Sequence, residues 1–197
     1  MIDENLLADL ETYIQAKVKE GFDDRETIIG NALDFICADQ DCPDEWVEAL
    51  VDQALYQHYQ AQLTWASPTD CDRLDQAFDA LNRKGIVARQ HFLCCRTCGI
   101  SQIDEIVQDL QVKAYPVRGY VFYDFQSTDV TIDGNRLYLF YGATSMDTSD
   151  TLALGYEVKG ILESFGVMVD WDGNIRNPIF LSIKWQRRRS IDLSWLN

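Results

Sequence analysis

The sequence predicts an α+β protein, an N-terminal helical bundle followed by a ferredoxin-like or related, mostly antiparallel sheet covered by helices. Three observations carry this. Apolar residues recur at helical spacing through the first third of the chain, the spacing shortens after Gly85, and the patterns from Leu74 onward run α β α β β α β β. A seam is expected at Ala66–Thr69, giving an acidic helical module over 1–66 and an α+β domain over 67–197, or one continuous domain.

Leu6, Leu7, Leu10, Tyr13, Ile14 and Val18 define the first helix, with Gly21 placed to stop it. Asp23 with Glu26 three residues on reads as a capping pair for a second, through Ile36. After the turn ADQDCPD, a stripe from Val47 to Tyr59 gives a third helix running from Asp44 to about Trp65. SPTD breaks the pattern, and Leu74, Ala77, Phe78 and Leu81 mark a fourth helix ending at Gly85, with Cys71 on its apolar face. Strands are then expected at Ile86–Phe92, Gly119–Phe125 and Arg136–Tyr141, with a short helix at Ser101–Leu110 capped by Ser101 and Asp104. A helix at Thr151–Phe165 precedes strands near Val167–Trp171 and Ile179–Trp185, joined through the DG of WDGN.

Composition bounds the function. A 197-residue chain with 47% hydrophobic residues buries an ordinary core and needs no disulfide scaffold. Residues 1–66 hold 15 acids against 3 bases, whereas 67–197 hold 17 against 14, so the net charge of -15 is concentrated at the front. That field repels phosphate backbones and attracts a basic protein, which argues against nucleic-acid binding by the acidic helices. The opening MIDENLLADL lacks the basic start of a secretory leader, and no long apolar run follows, so a cytoplasmic protein without a membrane segment is expected. In that compartment Cys37, Cys42, Cys71, Cys94, Cys95 and Cys98 are expected as thiols or metal ligands.

The segments TDCDRLDQAF, GIVARQHFLCCRTCG, GYVFY, LYLFYG and VDWDGN with the following IKWQRR resemble an uncharacterised bacterial family, domain of unknown function 6891. The likeness covers nearly the whole chain and implies no activity. LALGYEVKGILESFGVMVDWDG is similar to the last helix and strand of the acidic protein regulators of ribonuclease E, ferredoxin-like inhibitors that bind another protein.

RQHFLCCRTCGIS is the stretch richest in chemistry. Cys95-x-x-Cys98 has the spacing that lets two thiolates face one zinc ion, with Cys94 as a third ligand and Cys71 or His91 as a fourth. A second CxxC is missing, since four residues separate Cys37 from Cys42. Redox chemistry would use the same thiols beside helix N-terminal amides, but thioredoxin-type companions are absent and the helix is expected to begin after Cys98. The third reading makes Cys71, Cys94 and Cys98 small buried residues where the fourth helix meets the first strand.

Other sites are poorly served. There is no GxSxG, Walker A, HExxH or GxGxxG, and Pro43 stands where an EF-hand needs an acid or amide. Arg187–Arg189, the basic run, would touch an anionic ligand or balance the acidic helices. The expectation is a non-enzymatic regulator or immunity-like inhibitor that binds another, basic protein through residues 1–66, with homo-oligomerisation open. The alternative is a zinc-binding or thiol-redox protein built on CCRTCG.

Overall fold

The structure is a computed structural model and describes residues 4–37, 42–145 and 147–190. The chain forms two compact units, Met1–Ser67 with the tail from Gln186 onward, and Pro68–Trp185. None of its described helices is long and apolar enough to cross a membrane.

In the first unit, α1 (Glu4–Glu20), α2 (Arg25–Phe35) and α3 (Asp44–Gln62) pack pairwise. Their stripes meet in a core of Leu10, Ile14 and Val18 with Ile28, Ala32, Val47, Val51 and Leu55. Helix α1 stops at Gly21, whose φ of 81° is left-handed. The α2 cap is Asp24 rather than Asp23. Its carboxylate accepts the Thr27 N–H at 2.8 Å, a pair with the same three-residue spacing. Residues 38–41 of the expected turn lie outside the described residues. Cys37 and Cys42, at the exit of α2 and the entry of α3, form a disulfide with Cα atoms 5.8 Å apart. This departs from the expectation of thiols or metal ligands at every cysteine: packed neighbouring helices bring the two positions within bridging distance.

The basic run completes this unit from the far end of the sequence. Arg188 donates to the carbonyls of Gln62, Trp65 and Ala66 at 3.0–3.2 Å, where α3 ends. Arg189 donates to Lys17, Val18 and Asp23 carbonyls at and beyond the end of α1. Both guanidinium groups thus donate to carbonyls at or just beyond helix C-termini, where a cation is favoured by the negative end of the helix dipole.

In the second unit, β1 (Ile86–Arg89) pairs parallel with β2 (Gly119–Phe122), and β3 (Leu137–Ala143), β5 (Ile179–Ser182) and β4 (Met168–Asp170) follow antiparallel in the order β1-β2-β3-β5-β4. The sheet is mixed and mostly antiparallel. A helix at α6 (Phe125–Ile132), where no element is expected from sequence, interrupts the ferredoxin-like β-α-β-β-α-β order. Its Thr-rich, β-branched sequence disguises it, and Asp124 starts it by accepting the Ser127 N–H at 2.8 Å.

Side chains alternate along β2. Tyr123, just beyond it, meets Phe78 of α4 (Asp70–Arg83), and Gly119 lies against Leu154 of α7 (Thr148–Ser164), so these helices cover one face. Phe122 points to the other face, under α5 (Arg96–Val112), with Val87, Ile103 and Val107. The outer edge of β1 is closed by Asn82, whose amide accepts the Ala88 N–H at 2.9 Å and donates to its carbonyl at 3.2 Å.

A candidate thiol centre at the start of helix α5

Strand β1 ends at Arg89, three residues short of the expected Phe92. The loop that follows turns sharply, with His91 at φ 46° and Leu93 at φ 60°. Left-handed backbone at such residues costs about 1–3 kcal/mol each and persists only where surroundings enforce it. Here they do. Phe92 donates its N–H to Tyr123 at 2.7 Å, and Leu93 accepts the Phe125 N–H at 2.9 Å. The His91 ring stacks on Phe125 at 4.1 Å, and its Nδ1 hydrogen-bonds the Thr128 hydroxyl at 2.9 Å. Gln90 accepts from the Tyr123 hydroxyl and donates to Asp75.

This loop delivers Cys94 and Cys95 to the start of α5. The helix begins at Arg96, with Cys95 as its N-cap, so the expectation of a start after Cys98 is corrected. Gly99 explains why the earlier start is favourable despite a glycine in the first turn. A Cβ there would sit 2.4 Å from the Phe122 ring, and its absence lets the first turn lie on the sheet. Packing overrides propensity, and neither Cys nor Gly is a start signal.

The Sγ atoms of Cys94, Cys95 and Cys98 lie within 4.8 Å of one another. Cys94 and Cys98 are exposed and Cys95 half-buried. Cys95 makes no capping hydrogen bond of regular geometry. Its sulfur nonetheless feels the helix start: the Cys98 amide first, then the Cys98 thiol, hold its pKa below the ordinary thiol value. Cys98 moves the other way. Cys94 first, then Cys95, push it up to about 11, because a second thiolate beside the first is disfavoured.

The other two candidate ligands are not gathered here. Cys71 is buried, 1% exposed, on the apolar face of α4, and is not among the three clustered sulfurs. His91 holds Thr128 and Phe125 instead. Three thiols therefore converge without the fourth ligand that a closed tetrahedral zinc site needs among the described residues. The sequence marks the strained loop only in part, since histidine is among the residue types enriched at positive φ and leucine is not.

A family model described as a domain of unknown function (DUF6891) matches residues 3–189. The chain belongs to this family. No curated protein and no solved structure matches it. In this DUF6891 member the chemistry available at CCRTCG is that of an activated thiol beside a second, reluctant one, with a third within reach of both.

Proposed function

We propose that this DUF6891 protein is a thiol–disulfide redox protein in which Cys95 attacks and Cys98 resolves. The observation that supports it is geometric: Cys95 is the N-cap of α5, Cys98 lies on its first turn, and their sulfurs lie within 4.8 Å of each other beside helix N-terminal amides that favour a thiolate. The Cys95 thiolate attacks a disulfide R–S–S–R′, forming Cys95–S–S–R and releasing R′S⁻. That thiolate takes the Cys98 proton. The Cys98 thiolate then attacks the Cys95 sulfur and expels RS⁻. One protein disulfide forms, one substrate disulfide becomes two thiols, and two electrons pass to the substrate; a dithiol donor reverses the exchange.

Two results decide it. Mixed with a small aromatic disulfide, Cys98→Ser should stall as a one-to-one mixed disulfide on Cys95, while the unaltered protein releases both halves. One zinc per chain in the purified protein, masking these thiols until unfolding, would instead assign the three-sulfur cluster to a metal with an outside fourth ligand.

A second reading places protein binding on the acidic helices, and one observation favours it. Residues 1–66 hold 15 acids against 3 bases, a surplus that attracts a basic partner.

A further inference from the structure

A small cleft of about 50 Å³ opens beside the thiol turn, lined by Arg96, Ile100, Tyr120, Phe140, Arg176 and Asn177 among others. Arg96 is the residue that follows Cys95, so one wall of the cleft comes from the first turn of α5, although none of the three cysteines lines it. Its guanidinium lies over the Phe140 ring, 5.1 Å from the centroid, which pre-positions the charge. Arg176 enters from the turn between β4 and β5. Neither arginine has a carboxylate within 4.0 Å among the described residues, in a chain where 32 acids face 17 bases. Two acids are near the rim. Asp104 is near enough for its charge to help raise the Tyr120 pKa, after burial, and Asp172 is occupied by the Asn174 N–H at 2.9 Å and the Asn177 amide at 3.0 Å, which fixes Asn177 at the cleft wall.

The dimensions select the occupant. One water needs about 10–15 Å³ of such a volume, so the cleft holds a group of a few heavy atoms rather than a whole ligand. Two guanidinium groups with a phenol and an amide suit a planar anion, which they can bind by charge-assisted hydrogen bonds. The long-range field of a chain with net charge -15 would repel such an anion, so any preference for it must come from contacts at this cleft.

We propose that the Arg96–Arg176 cleft seats a carboxylate of the substrate, so that the thiol centre acts on a low-molecular-weight disulfide bearing carboxylates. This rests on the redox reading above. The carboxylate anchors the molecule beside Cys95, whose thiolate then attacks the disulfide, and Cys98 resolves the mixed disulfide.

The test uses the full chain in its reduced form in single-turnover reactions with three probes: glutathione disulfide, which is anionic, bis(2-hydroxyethyl) disulfide, which is neutral, and oxidised insulin chains as a protein disulfide. Each rate is divided by that of dithiothreitol with the same probe, removing intrinsic reactivity. The expected result is an advantage of at least about tenfold for glutathione disulfide over the neutral probe, in line with charge-assisted hydrogen bonds. Arg176→Gln, far in sequence from the thiols and exposed, should abolish that advantage and leave the neutral rate unchanged. Equal normalised rates, an equal effect of Arg176→Gln on both small probes, or a preference for the protein disulfide that ignores Arg176→Gln would each overturn the subsite. Failure of every probe to oxidise Cys95 would overturn the redox reading beneath it.

Discussion

At Cys95 a single residue serves as helix cap and loop terminus and is the proposed nucleophile. Its neighbours pull its proton off while it and Cys94 hold the proton of Cys98 on, and the two effects should separate by alkylation at graded pH. Cys95 should react with a midpoint below 9.0, the usual value for a thiol, and Cys98 with one near 11. Cys94→Ser should lower the Cys98 midpoint, since Cys94 is the largest cause of its shift. Mass-spectrometric counting of the alkylated peptide checks both; coincident midpoints for Cys95 and Cys98 would remove the asymmetry. Glycine 99 matters at the same scale. Gly99→Ala would drive a methyl group into the Phe122 ring, which should cost about 1–3 kcal/mol, as overpacking in a filled core does, and displace the thiols with the turn. A denaturant midpoint unchanged by Gly99→Ala would mean that α5 does not rest on Phe122 as described.

Helix termini carry the energetics at the scale of elements. Arg189 is mostly buried against the end of α1, and Arg189→Ala would leave three carbonyls without their charged donor. A loss of about 2–3 kcal/mol in urea unfolding is expected, typical of hydrogen bonds from charged groups. His58 gives this unit a pH dependence. Burial pushes its pKa below 6.5, and its Nε2 lies 3.0 Å from the Arg187 carbonyl. The unfolded chain therefore binds a proton that the folded one resists, so stability present above pH 6.5 should fall as pH drops toward the depressed folded value. His58→Gln should flatten that slope between pH 7 and 5 in urea titrations.

What the sequence revealed follows the same division. Long stripes such as Leu10–Ile14–Val18 and Leu74–Phe78–Leu81 announce helices because periodicity alone sets them. Two of the misread features, the start of α5 and all of α6, depend on tertiary contacts. Gly99 is a helix residue only because Phe122 lies beneath it, and the Ser127–Thr131 run is helical because it is capped by Asp124 and buried. The cysteines of the site were legible as a cluster. Their asymmetry was not, because it arises from where the helix begins.

Considered whole, the chain separates its chemistry by unit. The acidic surplus and the Cys37–Cys42 disulfide belong to the helical unit, while the three clustered thiols and the arginine-lined cleft belong to the sheet unit. If the acidic helices bind a basic protein, reversing Asp9, Glu11 and Glu45 together should weaken that complex and flatten its salt dependence while leaving thiol exchange untouched; all three are exposed. A redox titration of the clustered thiols decides whether they exchange with disulfides. The full chain, equilibrated across graded ratios of reduced to oxidised dithiothreitol, acid-quenched and alkylated, is read at the peptide containing Cys94, Cys95 and Cys98. A reversible two-electron transition to a Cys95–Cys98 disulfide, absent in Cys98→Ser, is the predicted result; three thiols that stay reduced at every ratio would contradict it.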